Sequence, residues 1–306
     1  MAGVRPGSYR GTVTNRLSTL LAGRPAVFDG GYGWLLQERG LPMGDCAESW
    51  NLTNPAAVDA LHDEYASAGA VFITTNTFGA TEPRLAQHGL AGRAEEVNKA
   101  GATVARTVAD RHGALVAGDI GPTGELLEPL GTLTPEAATA LFAEQVRGLR
   151  DGGADLLLVE TMSDLGEARA AVAAAREVAP DLPVVVTLSF DTNLRTMMGV
   201  DPASALAALA GDGVDAVGAN CGRGPDEMLS IAGQLVAGRP QGLLLVAQSN
   251  AGLPELDGDR FVYTVGPEAM AEHALELRDL GIDVIGACCG SSPEHTRAMA
   301  AALATG

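Results

Sequence analysis

Three of the four cysteines in this 306-residue chain end apolar runs, and their placement is its strongest chemical signal. Cys221 closes Ala216–Cys221 (AVGANC), and Cys288 with Cys289 closes Val284–Cys289 (VIGACC). Thiolates that converge on one point describe a zinc site with Zn–S near ~2.3 Å; three of them leave one position open, as catalytic zinc requires. Two plainer readings stay open on the residues alone. Cys288 and Cys289 can be inert core thiols facing opposite ways, or Cys221 can form a disulfide, which a reducing compartment disfavours. Cys46 reads as a small buried hydrophobe without chemistry. Other polar residues also end apolar runs: Asp29-Gly30-Gly31, Thr74 to Thr77, Asp119, Glu160-Thr161, Ser189 with Asp191, Asn220, and Ser249-Asn250.

These residues need elements that bring them together. Eight apolar runs of strand length recur: Pro25–Gly30, Val71–Thr77, Ala114–Ile120, Asp155–Thr161, Pro183–Phe190, Ala216–Cys221, Leu243–Asn250 and Val284–Cys289. They lack strict alternation, which suits parallel strands buried on both faces. Helical patterns follow each: Pro55–Gly69 with Asn54 as its cap, Arg93–Asp110, Thr134–Gly148, Asp164–Val178, Asp201–Ala210, Pro225–Val236, Pro267–Leu280 and Pro293–Leu303. Eight βα units with no composition break predict one domain over 1–306, a closed (β/α)8 TIM barrel. A doubly wound sheet of six strands with an insertion is the alternative. Residues 1–23 read as an N-terminal extension, with a short helix over Thr12–Gly23 closing the barrel bottom. The connection Gly31–Asn54 is long enough to be functional or disordered. In a barrel, chemistry gathers at the carboxyl ends of the strands. The ends of strands six and eight flank strand seven, on the order of 10 Å apart, and loop bending closes that gap.

Composition narrows the partners. With 20 Lys+Arg against 38 Asp+Glu the net charge is −18, which argues against nucleic acid and anionic membranes. No apolar run approaches the ~20 residues of a membrane span, and no hydrophobic stretch follows Arg5 and Arg10 as a secretory signal would. Four cysteines are too few for a disulfide scaffold. The expected location is cytoplasmic.

The residues flanking the cysteines are more specific. Asn220-Cys221-Gly222-Arg223-Gly224-Pro225 with Gly286-Ala287-Cys288-Cys289-Gly290-Ser291-Ser292-Pro293-Glu294-His295 resembles the zinc signature of the homocysteine S-methyltransferase family. Matching segments continue in order through Phe28-Asp29-Gly30-Gly31, Thr75-Asn76-Thr77-Phe78, Gly118–Gly124, Val159-Glu160-Thr161-Met162 and Asn250–Pro254. The resemblance spans about residues 20–304. It implies Zn²⁺ held by Cys221, Cys288 and Cys289, and methyl transfer to the sulfur of homocysteine, giving methionine. The chemistry is consistent: a free thiol is only a few per cent thiolate at neutral pH, and binding to zinc deprotonates it. Three cysteine thiolates leave the ion electron-rich enough to keep a fourth sulfur nucleophilic. The alternatives are a different thiol or selenol acceptor, and a structural zinc protein whose site a fourth protein ligand seals.

The resemblance also assigns substrate residues. Asp29 and Glu160 match positions that bind the homocysteine ammonium, two carboxylates at neighbouring strand ends suiting one cation. Backbone near Gly30 and Gly31 suits the carboxylate, and Asn220 supports the site through hydrogen bonds. His295 is a minor ligand candidate. Betaine-using members carry a tyrosine directly after the Thr-Phe of strand two; here Gly79 follows Thr77-Phe78, which speaks against betaine. Trp50 resembles their loop tryptophan, suited either to cover a methylated cation or to pack the loop. Gly121–Gly131 is similar to the homocysteine module of cobalamin-dependent methionine synthase. The donor is therefore a small sulfonium or ammonium compound, such as S-methylmethionine, or a separate methylcorrinoid protein.

Overall fold

The computed structural model describes residues 15–21, 26–191, 193–257 and 260–305. The strands are β1 (Ala26–Val27), β2 (Phe72–Thr74), β3 (Leu115–Ile120), β4 (Leu156–Met162), β5 (Val184–Leu188), β6 (Ala216–Cys221) and β7 (Leu244–Ser249). An antiparallel hairpin, β8 (Glu255–Asp257) and β9 (Arg260–Val262), precedes the last strand, β10 (Val284–Ala287). Eight strands form one parallel sheet in the order β1-β10-β7-β6-β5-β4-β3-β2. A parallel bridge between Phe28 and Phe72 brings its two edges together, as does the bond from Val71 N–H to the Val27 carbonyl at 2.8 Å. The sheet is a nearly closed barrel, not a doubly wound sheet.

The missing alternation in the strands has its reason here. On β3 and β4, Leu115, Ala117, Leu156 and Leu158 point inward with Phe28, Phe72, Val185, Ala216, Val246 and Val284. The intervening Val116, Leu157 and Val159 pack outward against the helices. Both faces are dry, so both are apolar. The helical ring consists of α4 (Pro55–Ser67), α6 (Ala94–His112), α7 (Pro135–Gly152), α8 (Leu165–Val178), α9 (Pro202–Gly211), α10 (Pro225–Gly238), α11 (Pro267–Leu280) and α12 (Pro293–Ala304). Thr134 and Asp201 cap their helices by accepting from Ala137 N–H at 3.1 Å and Ser204 N–H at 2.9 Å. Asn54, expected to cap α4, makes no such side-chain bond.

At the barrel bottom lies α1 (Arg16–Leu21). It buries Leu17 and Leu21 against the inward-facing core, and Arg16 pairs with buried Asp215 at 2.9 Å. The rest of the 1–23 extension, residues 1–14 and 22–23, lies outside the described residues, as does Pro25 at the start of the first expected strand. The long connection after β1 is folded: it holds α2 (Gly33–Glu38), a 3-10 turn (Ala47–Ser49) and α3 (Trp50–Thr53). Asn51 and Asn76 tie it to the end of β2, Asn51 donating to the Asn76 carbonyl at 2.7 Å and Asn76 donating to Asn51 Oδ1 at 3.0 Å.

Candidate active site and metal centre

Strand register delivers the three cysteines to one place. Ser249 on β7 pairs with Cys221 on one side and Ala287 on the other, so Cys288 emerges one residue beyond. Cys221 sits at φ 62°, in the left-handed region, within a segment that continues into Gly222 at φ 77°. The sulfurs lie 3.0 Å (221–288), 3.9 Å (221–289) and 4.0 Å (288–289) apart. Tetrahedral zinc with Zn–S of ~2.3 Å puts its sulfurs about 3.8 Å from one another. Two of the three spans match that value, and the third is tighter, so the donor set fits zinc. Among the described residues, this trio is the one His/Cys/Asp/Glu group gathered closely enough to hold an ion.

Three sulfurs this close cannot all ionise without a cation. Hydrogen bonds from Cys221 and Cys288 hold Cys289 down at about 3. For Cys288, its bond with Cys221 first, then its bond with Cys289 and burial, push the thiol well up. For Cys221 the bond with Cys288 lowers the value, but the bond with Cys289, burial and the charges of Cys289 and Glu160 outweigh it. Tyr263 is raised by burial and then by the three sulfurs, a neighbour that sequence reading did not single out.

Beside the sulfurs lies a cavity of about 440 Å³, lined among others by Asp29, Gly30, Glu48, Asp119, Glu160, Gln248 and the three cysteines. Its lining contains no Lys, Arg or His. Asp29 accepts from Thr74 N–H (2.6 Å), Thr74 Oγ1 (2.7 Å) and Tyr32 Oη (2.7 Å). Because Tyr32 donates there, its oxygen accepts from Nδ1 of His62 at 2.9 Å. Burial raises Asp29 to about 6 against these bonds and drops His62 to about 3. Burial, then the charges of Cys289 and Asp29, lift Glu160 to about 8. Asp29 and Glu160 are not on neighbouring strands as expected, since β2 and β3 stand between them.

Asn220 ties three strands together. Its Oδ1 accepts from Thr161 N–H (2.9 Å) and Thr187 Oγ1 (2.8 Å), and its Nδ2 donates to Thr161 Oγ1 at 2.7 Å. Those bonds hold Thr161 at φ 59°, next to Glu160. A Cβ on Gly30 would collide with Ser291 Oγ and lie 2.9 Å from Tyr65 Oη, so packing within the protein already demands glycine there. At Gly79, a Cβ would come within 2.7 Å of Glu48 Oε1. Glu48 occupies that corner, accepting from Gly79 N–H at 2.5 Å and from the Cys46 thiol at 3.2 Å.

Several candidates fall elsewhere. Burial first, then Glu48, raises Cys46 to about 12, and it packs with Ala80, Leu85, Ala94 and Val97. Trp50 packs against the main core and does not line the cavity. Both ring nitrogens of His295 are engaged, Nδ1 accepting from Ser292 N–H at 3.1 Å and Nε2 donating to the Val265 carbonyl at 3.0 Å. It is a cap and a loop tie. Glu48 and Gln248 escaped notice because nothing in a single sequence separates them from ordinary loop or strand residues. Asp119 carried a signal, a carboxylate ending an apolar run.

Comparison with known proteins agrees with this geometry. The model of the family described as homocysteine S-methyltransferase matches residues 26–303. The methionine synthases of Mycobacterium leprae (strain TN) and Mycobacterium tuberculosis (strain ATCC 25618 / H37Rv) are 34% identical across 95% and 94% of this chain. The chain spans 25% of the length of each. Among solved structures, the metallated form of homocysteine methyltransferase MmuM from Escherichia coli superposes with TM-score 0.78 at 23% identity, covering 94% of this chain and 99% of that one. Its oxidized form gives TM-score 0.77 at 22% identity with the same coverage. These likenesses show the fold, and the extent of the family match shows that the chain belongs to the homocysteine S-methyltransferase family.

Proposed function

We propose that this chain is a zinc-dependent S-methyltransferase that moves a methyl group to the thiol of homocysteine, forming methionine. The carrying observation is three cysteine sulfurs within 4.8 Å of one another at the edge of a deep acidic cavity. Cys221, Cys288 and Cys289 would hold the ion, and Zn²⁺ bound there supplies the Lewis acidity that deprotonates a thiol and fixes its sulfur. Asn220 keeps the backbone beside Glu160 in its unusual conformation, which aims that carboxylate into the cavity. Asp29 and Glu160 face the amino group of the acceptor, and the chain at Gly30 its carboxylate. Phe78 and Ala287 add apolar surface to the same wall. A structural zinc site is disfavoured because the described residues offer three ligand atoms and no fourth.

For the donor, the sulfonium or ammonium reading draws on a cavity free of cationic side chains. The methylcorrinoid reading draws on the relatives named methionine synthase. It also draws on Met43, Leu126, Leu130, Met197, Leu253 and Val262, six of the seven exposed large apolar side chains among the described residues, all on connections that follow the carboxyl ends of strands. Such a set suits a macromolecular partner. No helix among the described residues is long and apolar enough to cross a membrane, and free thiols at the centre suit the cytoplasm.

Addition of homocysteine to zinc-loaded protein should shift its X-ray absorption edge; an unchanged edge would mean the fourth position is sealed. A panel of S-methylmethionine, S-adenosylmethionine, betaine and methylcobalamin then identifies the donor class. Glu160→Gln should weaken homocysteine binding roughly tenfold or more with metal content intact, and loss of metal would show that its role is misassigned.

A further inference from the structure

Two buried polar side chains on the cavity wall have no role in the reading above. Asp119 and Gln248 are each 3% exposed and line the cavity with Glu160. Among the described residues, Asp119 Oδ1 and Gln248 Oε1 have no hydrogen-bond partner. The other acids differ. Asp29 already accepts three hydrogen bonds, and Glu48 is taken up by Gly79 and Cys46. Glu160 has only a long contact from Asn220 Nδ2, at 3.5 Å. Among the acids of the cavity, the uncommitted oxygens therefore belong to Asp119 and Glu160, and the amide oxygen of Gln248 is free as well.

Buried carboxylates without donors are strongly disfavoured unless a cation meets them, and the lining supplies none. On β3, Asp119 pairs in register with Leu158 of β4, so Glu160 lies two residues further along the same inner face. Such diagonal neighbours stand roughly 7–8 Å apart, a span that a group between them bridges. On β7, Gln248 pairs with Asn220 and Gly286, one residue below the level of Cys221. An alkylammonium presents three N–H donors, and three free acceptors line this one cavity.

We propose that Asp119 is a binding residue for the protonated amino group of the thiol substrate, sharing it with Glu160 and Gln248. The inference rests on the methyl-acceptor reading and deepens it: the pocket selects thiols that carry an ammonium, and Asp119 joins Asp29 and Glu160 around that group.

Calorimetric titration of the zinc-loaded protein with homocysteine and with 4-mercaptobutanoate, the same chain lacking the amino group, tests this. The parent should prefer homocysteine. Asp119→Asn should bind homocysteine roughly ten- to a hundredfold more weakly, the value of a charged hydrogen bond, with mercaptobutanoate affinity and zinc content unchanged. Equal loss for both thiols, or no loss for either, overturns the proposal. Asp119→Ser provides the same comparison if the asparagine variant does not fold, and a parent that fails to distinguish the two thiols overturns it without any variant. If the parent binds neither thiol, the acceptor reading itself fails.

Discussion

Cys221 adopts a backbone conformation that few residues other than glycine accept, and the trio depends on it. Because all three sulfurs are needed to hold an ion, Cys289→Ala should lose zinc by elemental analysis, whereas Cys46→Ala should keep it; full zinc in the first variant would refute the ligand set. A second expectation concerns His62, which burial keeps neutral down to about 3 against an ordinary value of 6.5. Below 6.5 the unfolded chain takes up a proton here that the folded chain refuses, so stability falls as pH drops from 6.5 toward 3. Asp29, raised to about 6, works in the opposite sense between its ordinary value and 6. Urea midpoints at pH 7 and pH 5 should show a decline about 2 kcal/mol larger in the parent than in His62→Gln. The sequence made the cysteines legible because their neighbours repeat a split signature. Asp119, at the end of Ala114–Ile120, was visible but lacked a role, since its meaning lies in the missing partner and not in its type.

Elements were legible where burial dictates composition. Strands packed on both faces read as apolar runs, and helices entered through Thr134-Pro135 or Asp201-Pro202 announced their starts. The β8–β9 hairpin and the turns within Gly31–Asn54 were not, because short elements pinned by side-chain bonds, such as Asn51 to Asn76, have no periodicity to detect. The small helix α1 was anticipated from its place before β1. Leu17 is 1% exposed at the end of the barrel opposite the cavity. Leu17→Ala should therefore cost about 2–4 kcal/mol in urea denaturation, while activity per folded molecule stays at the parent level. Reduced activity at full folding would mean that the bottom helix communicates with the site.

At the scale of the whole molecule, the candidate ligand cysteines at the ends of β6 and β10 bracket β7, and β10 also pairs with β1. An ion bound across these strands stabilises the folded ring and not the open chain. Free zinc at a thousand times its dissociation constant adds about 4 kcal/mol, so chelation should lower the melting temperature of the parent and leave that of Cys289→Ala unmoved. An equal drop in both would point to zinc acting elsewhere. The same topology sets an order of events during synthesis. A nascent polypeptide still lacking residues 284–289 owns one of the three sulfurs and lacks β10, the neighbour of β1 on that side. An ion that needs all three sulfurs would therefore wait until translation has passed residue 289, so its content would report that the strand closing the barrel has joined its neighbours.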